Sequence, residues 1–281
     1  MEKSTIQNII SAKGKRKISM LTVYDYTFAK ILDHAGIDIF LVGDSYGMTH
    51  LGYQNTLPVT MQEMLTVTSA VSRASTKALV VADMPFLSYQ TDTSTARMNA
   101  GRFLKEAGAD AVKVENSHNT LDIIKAIIDI DIPVMGHIGL TPQSVKRMGG
   151  YKIQGKTSEE AFKLIRAAEN LADAGVFGIV LEGIPAELAG FITARIPVPT
   201  IGIGAGNDCD GQVLVLNDML GMDSDNMPKH AKKYADVGSI VMKAVKQYKE
   251  DVEKGLFPQD IQSVHLDKDV TDKIRKDLKI G

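Results

Sequence analysis

Asp44 in IFLVGDS, Asp83 in ALVVADMP, Glu115 in AVKVEN and Glu182 in FGIVLEG share one kind of position. Each follows or closes a short run of β-branched and aliphatic residues. An ionised carboxylate at the end of a buried strand is costly unless it is paired or bound to a metal. Four of them on four strands converge if the strands close into one parallel barrel. Asp44, Asp83 and Glu115 offer hard oxygen donors, with no cysteine and no His-x-x-x-His spacing beside them. Such a set suits Mg2+ or a similar hard cation rather than structural zinc. Few protein ligands leave coordination positions open for water and for a substrate with two adjacent oxygens, such as an α-keto acid. The metal would act there as a Lewis acid, stabilising an enolate formed beside the ketone.

An enolate needs a base. Glu182, enclosed by FGIVL and GIP, is the candidate, because desolvation raises the basicity of a carboxylate. Lys113 lies two residues before Glu115 and so shares its face of the fourth strand. A lysine directed into a barrel needs the neighbouring acids or a substrate carboxylate. His137, closing the fifth strand in MGHIGL, is placed to hydrogen-bond a substrate or orient a ligand. Each residue also has a plainer explanation. A strand-end acid is as readily a buried salt bridge or a helix cap; Asp83 before Met84 and Pro85 simply begins a loop. Ser45 caps a turn, and a lone histidine is more often a satisfied core residue. What favours a site is convergence: four acids, a lysine and a histidine at corresponding positions, flanked by glycines at 43, 47, 136, 139 and 183.

The elements that must position these residues alternate along the whole chain. Strands are expected at 18–23, 37–43, 78–82, 110–114, 132–137, 176–181, 198–203 and 212–216, each hydrophobic throughout, as parallel strands covered on both faces are. Helices are expected at Tyr26–Ala35, Thr60–Ala74, Thr93–Ala107, Thr120–Ile128, Ser158–Ala174 and Ala186–Arg195, several ending in Ala-Gly before the next strand. Eight β units in about 250 residues is the arithmetic of a (β/α)8 barrel. The last two strands are too close for a full helix between them. An open doubly wound sheet would need a glycine fingerprint after its first strand, and GIGAG at 202–206 follows the seventh. Residues 139–157 form a long connection after the fifth strand, either a substrate lid or a plain surface loop. From Asp251 onward the chain is charged and weakly periodic, which fits a terminal helix and a frayed tail, with an oligomer contact one use for it.

Bulk properties exclude several classes. A formal net charge of -2 opposes a broad nucleic-acid face. The basic runs Lys13–Lys17 and Lys229–Lys233 are short and fit solvated faces. A single cysteine, Cys209, precludes an internal disulfide and suits a reducing cytoplasm. No signal-peptide layout opens the chain and no apolar run reaches membrane-spanning length. A cytoplasmic protein with small-molecule substrates, and neither nucleic-acid nor membrane partners, is expected.

The strings VGDSYGM (42–48), NTLPVTMQEM (55–64), ADMPF (82–86), VKVEN (112–116), GHIGLTPQSV (136–145), GGYKIQGK (149–156), LEGIP (181–185) and IGIGAGNDCDGQVLV (201–215) closely resemble the ketopantoate hydroxymethyltransferase family. The resemblance runs in order over about residues 3–262. It implies a phosphoenolpyruvate mutase/isocitrate lyase-like (β/α)8 barrel over 1–262 with an N-terminal helix, and a tail at 263–281. It implies transfer of a one-carbon unit from 5,10-methylenetetrahydrofolate to 3-methyl-2-oxobutanoate, giving 2-dehydropantoate for pantothenate synthesis. Carried over by position, Asp44 and Asp83 would be Mg2+ ligands, with Glu115 binding directly or through water. Asp44, Ser45, Asp83, Lys113 and His137 would face the keto acid, and Glu182 would be the catalytic proton acceptor. The resemblance also implies one Mg2+ per subunit and a homo-oligomer, commonly a decamer. Gly183 stands where many relatives carry cysteine or another small residue. Two rivals share the acid set: a keto-acid aldolase or lyase, which works without folate, and a silent scaffold, which would bind keto acid without exchanging its C3 proton.

Overall fold

Strands that are apolar on both faces must be covered on both, and this chain covers them by closing the sheet and wrapping it in helices. The protein is described from a computed structural model over residues 3–117, 120–222 and 227–280. In chain order the first half comprises α1 (Ile6–Ala12), β1 (Ile18–Thr22), α2 (Tyr26–Ala35), β2 (Ile39–Val42), α3 (Tyr46–Thr49), α4 (Met61–Ala74), β3 (Leu79–Asp83), α5 (Thr93–Lys105), β4 (Ala111–Glu115) and α6 (Thr120–Ile128). The second comprises β5 (Val134–Gly139), α7 (Val145–Met148), α8 (Ser158–Asp173), β6 (Gly178–Glu182), α9 (Ala186–Arg195), β7 (Thr200–Ile203), β8 (Gly211–Leu214), α10 (Leu216–Leu220), α11 (Val237–Glu253) and α12 (Lys268–Leu278). The strands pair in parallel in chain order, and β8 returns to β1 with Met20 opposite Val213, closing the barrel.

Two apolar clusters follow from the strand period of two. Ile18, Met20, Ile39, Leu41, Leu79, Val81, Ala111, Met135, Val180, Ile201 and Val213 fill the barrel interior. The alternate residues, among them Phe40, Val42, Val80, Val112, Val114, Ile179 and Leu181, pack outward against the helices. Ile9 and Ala12 of α1 join the inner cluster. Ser4 N–H donates to the Lys77 carbonyl and Gly14 N–H to Asp210, both just before a strand, so α1 closes the end where strands begin. The basic run beside it is exposed from Gly14 to Lys17, as a solvated face should be, yet three of its cations are tied down. Lys13 Nζ lies 2.8 Å from Asp210 Oδ2, Arg16 pairs with Asp38 at 2.8 Å, and Lys17 donates to the Cys209 carbonyl.

Local signals set the helices. Thr60 and Glu63, and Thr157 and Glu160, form reciprocal caps at the starts of α4 and α8. Gly36, Gly108 and Gly175 take φ of 82°, 71° and 94° after α2, α5 and α8, the left-handed turn expected of Ala-Gly. Six strands, β2 to β7, begin one or two residues later than the spacing predicts, β2, β5, β6 and β7 by two. Asp83, Glu115 and Glu182 lie inside their strands as final residues. β5 runs two residues past His137 to Gly139. No helix separates β7 from β8. Helix α11 is an element the spacing analysis leaves out, although Ile240, Ala244, Val245, Tyr248 and Val252 carry a helical repeat. None of its residues is buried, nor any of α12. Among the described residues no helix is long and apolar enough to cross a membrane.

Candidate active site

The site is built at the strand ends, where the inward-facing period continues past the apolar interior into polar residues. Val81 is followed on the same face by Asp83, Ala111 by Lys113 and Glu115, Met135 by His137, and Val180 by Glu182. Register does the rest. Asp83 pairs with Lys113, Glu115 with His137, and Gly139 with Glu182. Lys113 Nζ lies 2.6 Å from Asp83 Oδ1, a charge contact without hydrogen-bond alignment. Its ammonium also reaches His137 Nδ1 at 3.2 Å. His137 Nδ1 stands 3.9 Å from Glu115 Oε1, and Nε2 stands 3.3 Å from Glu182 Oε2. Asp44 follows β2 in a turn, and its N–H donates to Asp83 Oδ2 at 3.1 Å. Every sequence-predicted acid, with Lys113 and His137, therefore joins one cluster.

Ser45 opens α3 without capping it, and its hydroxyl instead meets the Tyr24 hydroxyl at 2.8 Å. Tyr24 is held by an edge contact with His50, which stacks on Tyr46. Two glycines are required by close approach. A Cβ on Gly43 would come within 2.8 Å of Ser45 Oγ and 3.4 Å of Asp83 Oδ2. A Cβ on Gly139, at φ 96°, would overlap the Glu182 carbonyl oxygen, which accepts from Leu140 N–H at 2.8 Å.

Burial and charge decide the protonation states. Asp44, Asp83, Lys113, Glu115 and His137 are all at most 5% exposed. Burial, with the Asp83 charge beside it, pushes Asp44 up to about 7. Burial also raises Glu115 well above the usual carboxylate range. For Lys113 burial opposes the charge, yet Asp83, Glu115 and Asp44 outweigh it and hold the ammonium's pKa above its ordinary value. Burial and the Lys113 charge lower His137, which is therefore neutral. An ammonium can only donate, so Nδ1 accepts from Lys113 and the imidazole proton sits on Nε2, facing Glu182. Glu182 is less enclosed than its apolar flanks predict: its side chain is 18% exposed toward the mouth.

The donor set fits a divalent cation. Three buried carboxylates face one lysine, a formal deficit of two charges in a site of hard oxygens. Among the described residues no three acidic, histidine or cysteine side chains are grouped closely enough to hold a metal by themselves. Mg2+ commonly uses one or two carboxylates plus water and substrate oxygens, a number this cluster can supply.

Residues 139–157 depart from a free lid. Pro142–Ser144 form a 3-10 turn whose Gln143 is buried among the acids, a contact no local sequence signal announces. Tyr151, half exposed, reaches across to Met48 with its hydroxyl 3.8 Å from the sulfur. Gln154 N–H donates to the Gly183 carbonyl. The segment is pinned at both ends of the mouth.

The closed, eight-stranded parallel barrel ringed by helices is a fold shared with solved members of the phosphoenolpyruvate mutase/isocitrate lyase superfamily. 2,3-Dimethylmalate lyase, a member of it, superposes with a TM-score of 0.60 at 15% identity, covering 99% of each chain. Phosphonopyruvate hydrolase in complex with oxalate and Mg2+ superposes at 0.58 and 12% identity, covering 98% of this chain and 97% of that one. These likenesses show the fold. Within it, residues 3–260 match the family model for ketopantoate hydroxymethyltransferase. 3-Methyl-2-oxobutanoate hydroxymethyltransferase of Dehalococcoides mccartyi is 54% identical over 275 residues, covering 98% of this chain and 99% of the relative. That of Geobacter sulfurreducens is 57% identical over 255 residues, covering 90% and 96%. The chain belongs to the ketopantoate hydroxymethyltransferase family and is a transferase enzyme.

Because Asp44 titrates above the unfolded value of about 3.9, the metal-free fold holds a proton that the unfolded chain releases. Its stability therefore falls as pH rises from about 4 to about 7, and the cost is fully present above that. Asp44→Asn removes the charge, so the metal-free variant is expected to melt higher than wild type at pH 8 and equally at pH 4. Calorimetry at the two pH values checks this; a lower melting temperature at pH 8 would refute the assigned cost.

Proposed function

We propose that this enzyme transfers a hydroxymethyl group to 3-methyl-2-oxobutanoate, forming 2-dehydropantoate for pantothenate synthesis, with 5,10-methylenetetrahydrofolate as donor. Asp44 and Asp83 hold Mg2+, with Glu115 directly or through water. When bound, the ion supplies Lewis-acid stabilisation of negative charge on the keto oxygen. Lys113, kept charged by Asp83, and Ser45, oriented by Tyr24, receive the keto acid's carboxylate. Glu182 removes the C3 proton, and His137 Nε2–H steadies its carboxylate or the substrate. The C3 carbon then bonds to the one-carbon unit, water supplies the hydroxyl, and tetrahydrofolate leaves. The observation that carries this is the opposition of the two sides of one cluster. A lysine is locked to an aspartate on one side, and on the other a carboxylate open to the mouth lies 3.3 Å from a neutral histidine.

Incubation with keto acid and Mg2+ in heavy water, followed by NMR, is expected to show metal-dependent loss of the C3 proton signal. Glu182→Gln should slow that exchange by about 10²-fold or more while the keto acid still binds. Exchange at the wild-type rate in Glu182→Gln would remove the glutamate from the base's role.

The donor needs room beside Glu182. A cavity of about 490 Å3 begins at Gly139, the register partner of Glu182, and is lined by Thr141, Arg147, Gln154, Lys163 and Arg166. Its cations, Arg147, Arg166 and Lys163 (the last paired with Glu159 at 2.6 Å), outnumber the lining acid Glu160 and suit the carboxylates of a folate tail. Replacing Arg147 and Arg166 by alanine should weaken tetrahydrofolate binding about tenfold or more, about 1.4 kcal/mol or more. Tetrahydropteroate, which lacks the glutamate, should bind the variant as it binds wild type. Equal loss for both ligands would place the tail elsewhere.

The enzyme is further taken as a cytoplasmic homo-oligomer, a decamer. What supports assembly is α11, where Ile240, Val241, Met242, Val245 and Tyr248 are 47–65% exposed, an apolar stripe that water does not favour. Sedimentation is expected to give about ten times the 30.5 kDa chain mass, and a monomer would contradict it.

A further inference from the structure

Gln143 uses its whole hydrogen-bonding capacity inside the acid cluster. Its backbone N–H donates to Glu115 Oε2 at 3.1 Å. Its side-chain Nε2 donates to Asp44 Oδ2 and to the Met84 carbonyl, both at 2.9 Å. Its Oε1 accepts from the Tyr89 hydroxyl at 2.9 Å and from Gln90 Nε2 at 3.0 Å. An amide has two donors and two acceptor lone pairs, and all four are engaged here. The residue is 7% exposed and Tyr89 is 1% exposed, so water does not compete for these bonds. Tyr89 makes a second, longer contact to the Glu115 carbonyl at 3.3 Å, which ties the bracket to β4.

We propose that Gln143 is the positioning residue that sets the separation and orientation of Asp44 and Glu115 for the divalent cation, and that through the same bonds it fastens residues 142–148 onto the strand ends. The inference rests on those acids holding the cation. A terminal amide NH2 can only donate, so it selects Oδ2 of Asp44, as the backbone N–H selects Oε2 of Glu115. Oδ1 of Asp44 and Oε1 of Glu115 are left unengaged by the bracket. Without it, two carboxylates, one in the turn after β2 and one at the end of β4, would repel across the cluster and rotate independently. A neutral donor achieves this where a second lysine would cancel the charge deficit that draws the cation.

The test is Mn2+ binding to the full-length protein, followed by electron paramagnetic resonance, in wild type, Gln143→Met and Tyr89→Phe. Methionine keeps the volume and removes the donors. Tyr89→Phe removes only a hydroxyl that holds the amide from behind. Outer partners of this kind are worth about 10–100-fold in metal affinity. Gln143→Met is expected to weaken Mn2+ binding by that factor, and Tyr89→Phe by about threefold to tenfold. The Mn2+ concentration giving half-maximal turnover should shift in parallel, with kcat recovering at saturating metal. Hydrogen exchange at amides 143–148 should speed up in both variants. Mn2+ binding at wild-type affinity in Gln143→Met overturns the proposal, whatever its melting temperature. If that variant does not fold, unchanged affinity in Tyr89→Phe overturns it instead. A wild-type protein that binds no Mn2+ overturns the cation assignment together with this one, whereas loss confined to the variants supports both.

Discussion

Three carboxylates and one ammonium at the end of an apolar barrel where its strands finish form the constraint to which the rest of the structure answers. Moving an ion into such surroundings costs several kcal/mol even after relaxation, as an order of magnitude. Lys113 offsets one negative charge and is held protonated by doing so. The remaining acids respond by drawing protons, which is why Asp44 and Glu115 rise while the lysine beside them also rises. A cluster left two charges short is poor for stability and well suited to a divalent cation. Burial keeps His137 neutral against the pull of the acids, helped by an ammonium 3.2 Å away that opposes a second positive charge.

The barrel makes this concentration of charge possible. Strands β3 to β6 spend their first inward positions on interior packing and their last on the site, so a single register places Asp83 beside Lys113 and Glu115 beside His137. The helices keep the outward face dry and contribute nothing to the cluster directly. Gly139 shows how tightly the arrangement is drawn, because its missing side chain is what lets β5 close against the Glu182 carbonyl. The polar ends of α1 and the Lys13–Asp210 pair hold the opposite end shut, away from the chemistry.

Beyond the strand ends, the segment after β5 is a working part of the site rather than a cover over it. Gln143 braces two acids, Tyr151 spans toward Met48, and Gln154 ties back to Gly183 beside Glu182. The exposed α11 and α12 stand apart from this logic. Their apolar side chains stay largely exposed, although Tyr248 meets the Phe257 ring edge-on, and they fit the proposed assembly.

Strand and helix identity, their order and the acids at the strand tips were legible in the sequence because each depends on local periodicity and on turn chemistry within a few residues. The family was legible for a related reason: strings such as GHIGLTPQS and GGYKIQG join residues that act together, and the match over residues 3–260 bears this out. Helix α11 was missed despite the spacing of Ile240, Ala244, Val245, Tyr248 and Val252, because its stripe has no companion core to mark it. What only the tertiary structure decided are relations between distant residues. Which carboxylate meets Lys113, which nitrogen of His137 carries its proton, and that Glu182 stays partly open all depend on register and burial. Gln143 is the clearest case: 99 residues separate it from Asp44, and an amide in a loop has no local signature of the acid it will brace. Local patterns specify the elements because backbone physics is short-ranged. Protonation and ligand geometry come from charges brought together across the barrel, and those distances exist only once it has closed.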